Sequence, residues 1–265
     1  MLIKKHKSTW IRVINPTQHE IEALQKEYKL HDTIAQELSD VSARAHVEAH
    51  PSYLYLVYHL PLYNNKEQIS RRGEVDVILT KDTVITVEYQ HLAPYDRIQE
   101  HMEQDKKYHN AVLGKNSAHL FYYLMEALLV HQLHELSHVH EKIEDIDKGL
   151  LHPQETILSA KILYAKRDLI NYYVLVKSQT DIFHSLEQVG AAFFGNASSV
   201  YWSDLEGAFL KVLRLTQNYK EVLESFDATV SQLLRIQTLH QLKLLVWVGG
   251  IAVVGLVLIL IHMFV

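Results

Sequence analysis

Imidazole and carboxylate groups are the side chains of this sequence best suited to chemistry. The segment HQLHELSHVHE places His131, His134 and His138 at i, i+3 and i+7, on one side of a helix. Imidazoles in that arrangement offer nitrogen ligands to zinc or nickel. Three rings spread over two turns converge poorly on one ion, however, and histidines recur elsewhere, from His6 to His119. A compositional bias, 18 His in 265 residues, accounts for most of them. The run EKIEDIDKG that follows carries Glu141, Glu144, Asp145 and Asp147. Glu141 shares a helix face with Glu144 or Asp145. That face reads first as a solvated surface, and second as a patch that concentrates cations.

Nucleophilic catalysis finds no support. The chain has no Cys, no Gly-x-Ser-x-Gly and no phosphate loop. The expectation is a protein that is not an enzyme. Lys and Arg number 26 against 31 Asp and Glu, a net charge of −5, which argues against nucleic acid as a partner.

The elements that must position these groups follow from the hydropathy pattern. With 48% hydrophobic and 22% charged residues, the chain is ordered. Residues 1–115 read as an α/β domain within an α+β protein. WIRVIN, SYLYLVYHLPLY, EVDVILT and VITVEY are strand-like, TQHEIEALQKEYK and HDTIAQELSDV are helical, and NNKEQISRRG is a polar connector. Residues 116–195 read as two long antiparallel helices. The first runs from about Ser117 to Leu150, a reversal follows at Leu151-His152-Pro153, and the second runs from about Gln154 to Val189 until GAAFFGNASS breaks it. Residues 200–243 form a stalk helix starting near Tyr201. Along it Trp202, Leu205, Phe209, Val212, Thr216, Tyr219, Leu223, Phe226, Val230 and Leu233 alternate three and four apart, a coiled-coil seam. The rival stripe, Arg214, Asn218, Glu221, Ser225, Ala228, Gln232 and Arg235, is mostly polar.

Residues 244–265 read LLVWVGGIAVVGLVLILIHMFV, in which His262 is the only polar side chain. A helix of that length reaches roughly 33 Å, enough for one crossing of a bilayer core. MLIKKHKSTW has no apolar stretch of the signal-peptide kind. Arg235 and Lys243 precede the span and no Lys or Arg follows it. The expectation is a single-pass protein of the cell (inner or plasma) membrane with its N-terminal domain in the cytoplasm. Asn196-Ala197-Ser198, a glycosylation sequon, would then stay unmodified.

The order of α/β domain, helix pair, stalk and membrane helix resembles the CorA family of magnesium and divalent-cation channels. WIRVINPTQHEIEAL looks like the family's opening strand and helix. IAQELSDVSARAHVE resembles its next helix and strand, with Leu38, Arg44, Val47 and Glu48 in place. EVDVILTKDTVITVEY looks like its paired strands, KRDLINYYVLVKSQTDIF like its second long helix, and Tyr201 to Asp204, YWSD, like the start of its stalk. The resemblance implies five subunits around a central axis and a regulatory Mg2+ held between subunits. Its carboxylates match Glu37 and Asp204 here, with Glu37 standing where the family usually has Asp. A cap role for Asp204 at the stalk start is the competing reading. The family's Gly-Met-Asn signature does not occur in this sequence; carried along the stalk, its position falls on Met263-Phe264-Val265. The stripe matching the family's pore lining is Leu239, Leu242, Leu245, Gly249, Val253, Leu256 and Leu260, without a side-chain oxygen. Two functions therefore stay open: a CorA-like divalent-cation transport protein, or a non-conducting, membrane-anchored scaffold, regulatory subunit or truncated family member.

Overall fold

A computed structural model of the chain describes residues 2–3, 7–150 and 155–264. The chain forms two compact units. One comprises Met1–His140 with Arg167–Tyr219, the other Glu141–Lys166 with Lys220–Val265.

The first unit is built on a six-stranded sheet. Its strands are β1 (Leu2–Ile3), β2 (Thr9–Ile14), β3 (His46–Ala49), β4 (Leu54–Asn64), β5 (Ile69–Leu79) and β6 (Thr83–Glu88). Their order is β1-β2-β6-β5-β4-β3, with β2 and β6 parallel and every other neighbour antiparallel. Helices α1 (Gln18–Tyr28) and α2 (Asp32–Glu37) connect β2 to β3, and α3 (Ala93–Gln104) and α4 (Lys106–Leu113) follow β6. Thr17 and Glu20 close a reciprocal capping box that starts α1 on the residue after Thr17.

Two strands lie outside the alternating segments. β1 has two residues, and β3, HVEA, has a half-buried to exposed pattern with no apolar alternation. The segment 64–73, expected as a connector, is mostly a hairpin: β4 and β5 are eleven residues each, joined by a turn over 65–68. Asn64 Oδ1 accepts the N–H groups of Lys66 (3.0 Å) and Glu67 (3.2 Å), and Gln68 adopts φ 54°. That turn chemistry outweighs the polarity of Arg71 and Arg72, which point to solvent.

One sheet face packs Tyr55, Val57, Ile78, Ile85 and Val87 against Ile21, Leu24, Ile34 and Leu38 of and around α1 and α2. Toward the helices, Tyr58 meets Phe183 edge-on at 5.7 Å, and Phe183 stacks on Phe209 at 4.4 Å. The long hairpin outruns its neighbours, because β3 pairs with β4 only as far as Val57 and β6 with β5 only from Val75. Side chains from the helices satisfy the uncovered backbone. The His59 N–H donates to Gln179 Oε1 (2.8 Å), Gln179 Nε2 donates to the His59 carbonyl (2.7 Å), and the Tyr63 N–H donates to Glu135 Oε2 (2.7 Å). Pro61, between them, has no N–H to satisfy. On the other strand the Ser70 N–H donates to Asp168 Oδ1 (2.6 Å).

Helix α5 (Ser117–Leu150) matches the first expected long helix. The second expected helix is two, α6 (Glu155–Lys177) and α7 (Thr180–Phe194). The break falls at Ser178-Gln179, where the Ser178 and Thr180 hydroxyls donate to the carbonyls of Leu175 and Lys177. These local bonds compete with the helix ladder, and they leave Gln179 aimed at His59. α7 then runs through Gly190, and ends at Gly195, φ 88°. Gly190 is thus no breaker: an added Cβ there would lie 2.5 Å from the Trp202 ring. The Tyr172 hydroxyl donates to the Gln132 carbonyl (2.6 Å), holding α6 against α5 in this unit.

Helix α8 (Ser199–Phe264) begins two residues earlier than expected. Trp202, Leu205, Phe209, Val212 and Thr216 are buried in the first unit, so the seam is filled by the chain's own helices there. In the second unit the seam residues Leu223 and Val230 are buried alongside Ile146, Leu158 and Ile162. There Lys161 binds Asp145 (2.6 Å), and Lys166 binds Asp227 (2.7 Å). The polar stripe from Arg214 to Arg235 is exposed, as its composition requires. α8 also carries the one segment among the described residues that is long and apolar enough to cross a membrane, and it is unburied. The reversal at Leu151–Pro153 and the side chains of Leu256 and Leu260 lie outside the described residues.

Replacing Gln179 by Leu removes the partner of the His59 N–H and carbonyl in a buried setting. An orphaned buried group costs about 1–3 kcal/mol. Thermal unfolding of Gln179→Leu, followed by circular dichroism, should show a clear drop in Tm. An unchanged Tm would mean that the hairpin edge does not depend on this amide.

Candidate cation-sensing site

Helix α2 starts where the His31 ring accepts the Thr33 N–H (3.3 Å), and it is pinned by Ile34 and the fully buried Leu38. Its last residue is Glu37. The Glu37 carboxylate faces His46 of β3, with Oε2 3.5 Å from the imidazole Nε2. That oxygen is out of contact with solvent, yet accepts no hydrogen bond. The Tyr89 hydroxyl lies 3.4 Å from the Glu37 carbonyl, and it donates to Asp76 Oδ2 at 2.8 Å. Tyr55 donates to the same oxygen at 2.9 Å, while Asp76 Oδ1 has no hydrogen bond.

Asp76 is fully buried, and burial pushes its carboxyl up to about 8. The charges of Glu74 and Glu37 push the same way, and the two tyrosine hydrogen bonds oppose them. Glu74 Oε1 accepts the Ser42 N–H (2.7 Å), and its Oε2 pairs with His59 Nε2 (3.0 Å). Glu37, Asp76 and Glu74 thus line one acidic seam. Two of these residues, Asp76 and Glu74, were missed by sequence reasoning. The available signal was EVDV in β5, where acids alternate with β-branched residues in a strand covered on both faces.

Asp204 lies in the second turn of α8, inside the helix, so the cap reading does not hold. Its Oδ2 accepts from the Tyr122 hydroxyl of α5 (2.6 Å), which also lies 3.0 Å from Glu126 Oε1. One hydroxyl proton therefore sits between two carboxylates. Burial and these two acids together raise the Tyr122 phenol. Within one chain Glu37 and Asp204 belong to separate networks, one around His46 and Tyr89, the other around Tyr122.

The other candidates disperse. His138 stacks on Tyr63 (4.3 Å), and His131 sits 3.7 Å from Glu135 with burial pulling its imidazole down. His131 and His134 line a groove of about 280 Å³ with Arg97, His101 and Tyr108. The three rings do not converge on a common point. Several other histidines face tyrosines, among them His50 on Tyr53 (4.5 Å) and His101 on Tyr108 (3.9 Å). In the acidic run, Asp145 is paired with Lys161, and Glu144 with Lys148 (3.5 Å).

A family profile described as "CorA-like Mg2+ transporter protein" matches residues 5–259. The chain belongs to the CorA-like Mg2+ transporter family. The cobalt/magnesium transport protein CorA of Thermotoga maritima is 18% identical over 219 residues, which cover 81% of this CorA-like chain. The chain spans 61% of that relative's length. Among solved structures, the complete CorA magnesium transporter from Methanocaldococcus jannaschii superposes with a TM-score of 0.77 at 17% identity, over 94% of this chain and 80% of that one. The ZntB cytoplasmic domain from Vibrio parahaemolyticus gives a TM-score of 0.70 at 11% identity, over 86% of this chain and 88% of that one. The α+β architecture with a long C-terminal helix is accordingly the CorA-like fold.

The buried acid of this CorA-like domain sets a pH dependence. Folded, Asp76 keeps its proton up to about pH 8; unfolded, it loses it near the ordinary value of about 3.9. Between those values the folded state binds more protons, so Asp76 makes stability fall as pH rises from about 4 to 8. Asp76→Asn, with no proton to lose, should gain Tm relative to wild type when pH is raised from about 5 to 8. Parallel Tm–pH curves for the two proteins would reject a buried, protonated Asp76.

Proposed function

We propose that this CorA-like chain is a subunit of a membrane protein of divalent-cation transport, with magnesium as cargo and as regulator, and that it is not an enzyme. In this reading residues 1–115, 116–195 and 200–243 form a cytoplasmic cation-sensing part. Residues 244–265 cross the cell membrane once, and five subunits surround a common axis. Glu37 and Asp204 of adjacent subunits hold the regulatory Mg2+.

The observation that carries the reading is the pair Asp204 and Glu126, two carboxylates sharing the single proton of Tyr122. Such a group attracts a cation, and its all-oxygen donors suit magnesium, which keeps several waters and needs only one or two carboxylates. Glu37 Oε2, which accepts no hydrogen bond and lies 3.5 Å from the His46 imidazole, fits the opposite side of the same ion chemistry. A bound ion would draw subunits together when cytoplasmic magnesium is plentiful, and its loss would free them.

A second reading, a non-conducting anchored subunit, is favoured by the stripe from Leu239 to Leu260. No side chain there replaces the water of a hydrated dication, and apolar rings close by dewetting.

Millimolar magnesium should raise Tm, by the equivalent of about 2.7 kcal/mol at a hundred times Kd. Asp204→Ala should lose most of that rise, while magnesium-free stability changes by no more than about 1 kcal/mol, as for an exposed charge. Equal stabilisation of both proteins would reject the site. In liposomes these 265 residues alone should pass little magnesium. A robust flux blocked by magnesium on the cytoplasmic side would remove the second reading.

A further inference from the structure

One cluster outside the seam of Glu37, Asp76 and Glu74 brings three metal-ligating side chains together. His184 and Glu187 lie at i and i+3 on α7, and Glu206 lies on α8. One ligand atom from each lies within 4.8 Å of the others. His184 Nδ1 is already 3.6 Å from Glu206 Oε1. In a tetrahedral site with bonds of about 2.0–2.1 Å, ligand atoms are roughly 3.4 Å apart. The two glutamates, with three rotatable bonds each, can close the remaining gap without backbone movement.

The backbone beneath the three residues is held fast. Each ligand directly follows a buried anchor: Phe183, Leu186 and Leu205 are all nearly inaccessible. Phe183 stacks on Phe209 of α8, and Trp202 of α8 fills the space beside Gly190 of α7. The spacing between the two helices is therefore set by packing, independent of any ion. His184 also has an outer partner, the Gln188 side-chain amide, 3.2 Å from Nε2. Amide orientation follows the hydrogen-bond network. With Oε1 turned to accept Nε2–H, the Nδ1 lone pair points at the glutamates. Such an outer hydrogen bond fixes tautomer and ring plane in histidine metal sites.

We propose that His184, Glu187 and Glu206 form a binding site for a zinc-class transition-metal dication, clipping α7 to α8. One neutral imidazole and two carboxylates neutralise a 2+ charge. A nitrogen ligand favours zinc, nickel or cobalt over magnesium, which prefers an all-oxygen shell. His184 is exposed and Glu206 partly so, which lets the ion enter and water complete its coordination. Asp204 faces α5, away from this cluster, so the site stands independently of the magnesium reading.

The test is zinc binding to the full chain, purified in detergent without a polyhistidine tag, by equilibrium dialysis with a competing chelator. Cobalt(II) absorption reports the geometry. Wild type and His134→Ala should bind equally. His184→Ala and Glu206→Gln should each lose the tightest site by at least about tenfold in affinity, and Gln188→Ala by roughly tenfold, the low end for outer partners. Both altered ligands are at the surface, and circular dichroism checks their folding. Zinc affinity in His184→Ala and Glu206→Gln equal to wild type would overturn the proposal. So would displacement of zinc by an equal concentration of magnesium.

Discussion

The long hairpin of β4 and β5 creates the demand that the rest of the first unit answers. Its outer half has no strand beside it, and buried backbone groups must find partners. Gln179, Glu135 and Asp168 supply them, from the break between α6 and α7, from α5 and from α6. Each of these side chains fixes the height and rotation of its helix against the sheet. The same requirement explains why α6 and α7 are separate: Gln179 reaches the His59 backbone from the break, where two hydroxyls have already loosened the ladder. Sheet and helices are thus joined by a polar seam as well as by an apolar one. The apolar part, with Tyr58, Phe183 and Phe209 in sequence, supplies most of the burial. The polar part sets the register.

Much of this architecture was legible in the chain. The four alternating strands, α1, α5 and the seam of α8 follow from periodicity, because each has one strongly apolar side. What escaped has a shared cause. β3 is short and polar, the 65–68 turn lies among charged residues, and the break at Ser178-Gln179 sits in a segment without a Pro or Gly to mark it. In each case a side chain far away in sequence, or a local hydrogen bond, outweighs the pattern. The seam of α8 illustrates the converse. Its apolar heptads are buried from Trp202 to Thr216 and at Leu223 and Val230, while Leu233 is exposed, and periodicity cannot say whether the partner is another subunit or, as for Trp202 to Thr216, the chain's own α5 and α7.

The candidate site was only partly legible. Resemblance marks Glu37 and Asp204, yet their surroundings come from tertiary contacts. Asp76 and Glu74 lie under Glu37, and Tyr122 with Glu126 lies beside Asp204. The histidines likewise acquire meaning only in space. Several stack on tyrosines, and His184, set apart from the HQLHELSHVHE run, lies beside two glutamates on facing helices. Spacing along one helix is a weak guide to metal binding, since three ligands seldom converge unless two elements face each other.

Gly190 and Trp202 press together so closely that no side chain fits at 190 while the indole is in place. A methyl group at 190 would occupy the space of the indole, and the indole is wedged in place by Phe121 and Phe194 and tied to the Ser198 hydroxyl at 3.0 Å. In genetic terms the two positions form a locked pair. A chain carrying Ala at 190 would be recovered by second-site suppressors that shrink residue 202. Loss of the indole would free position 190 for larger side chains, so the constraint runs from residue 202 to residue 190.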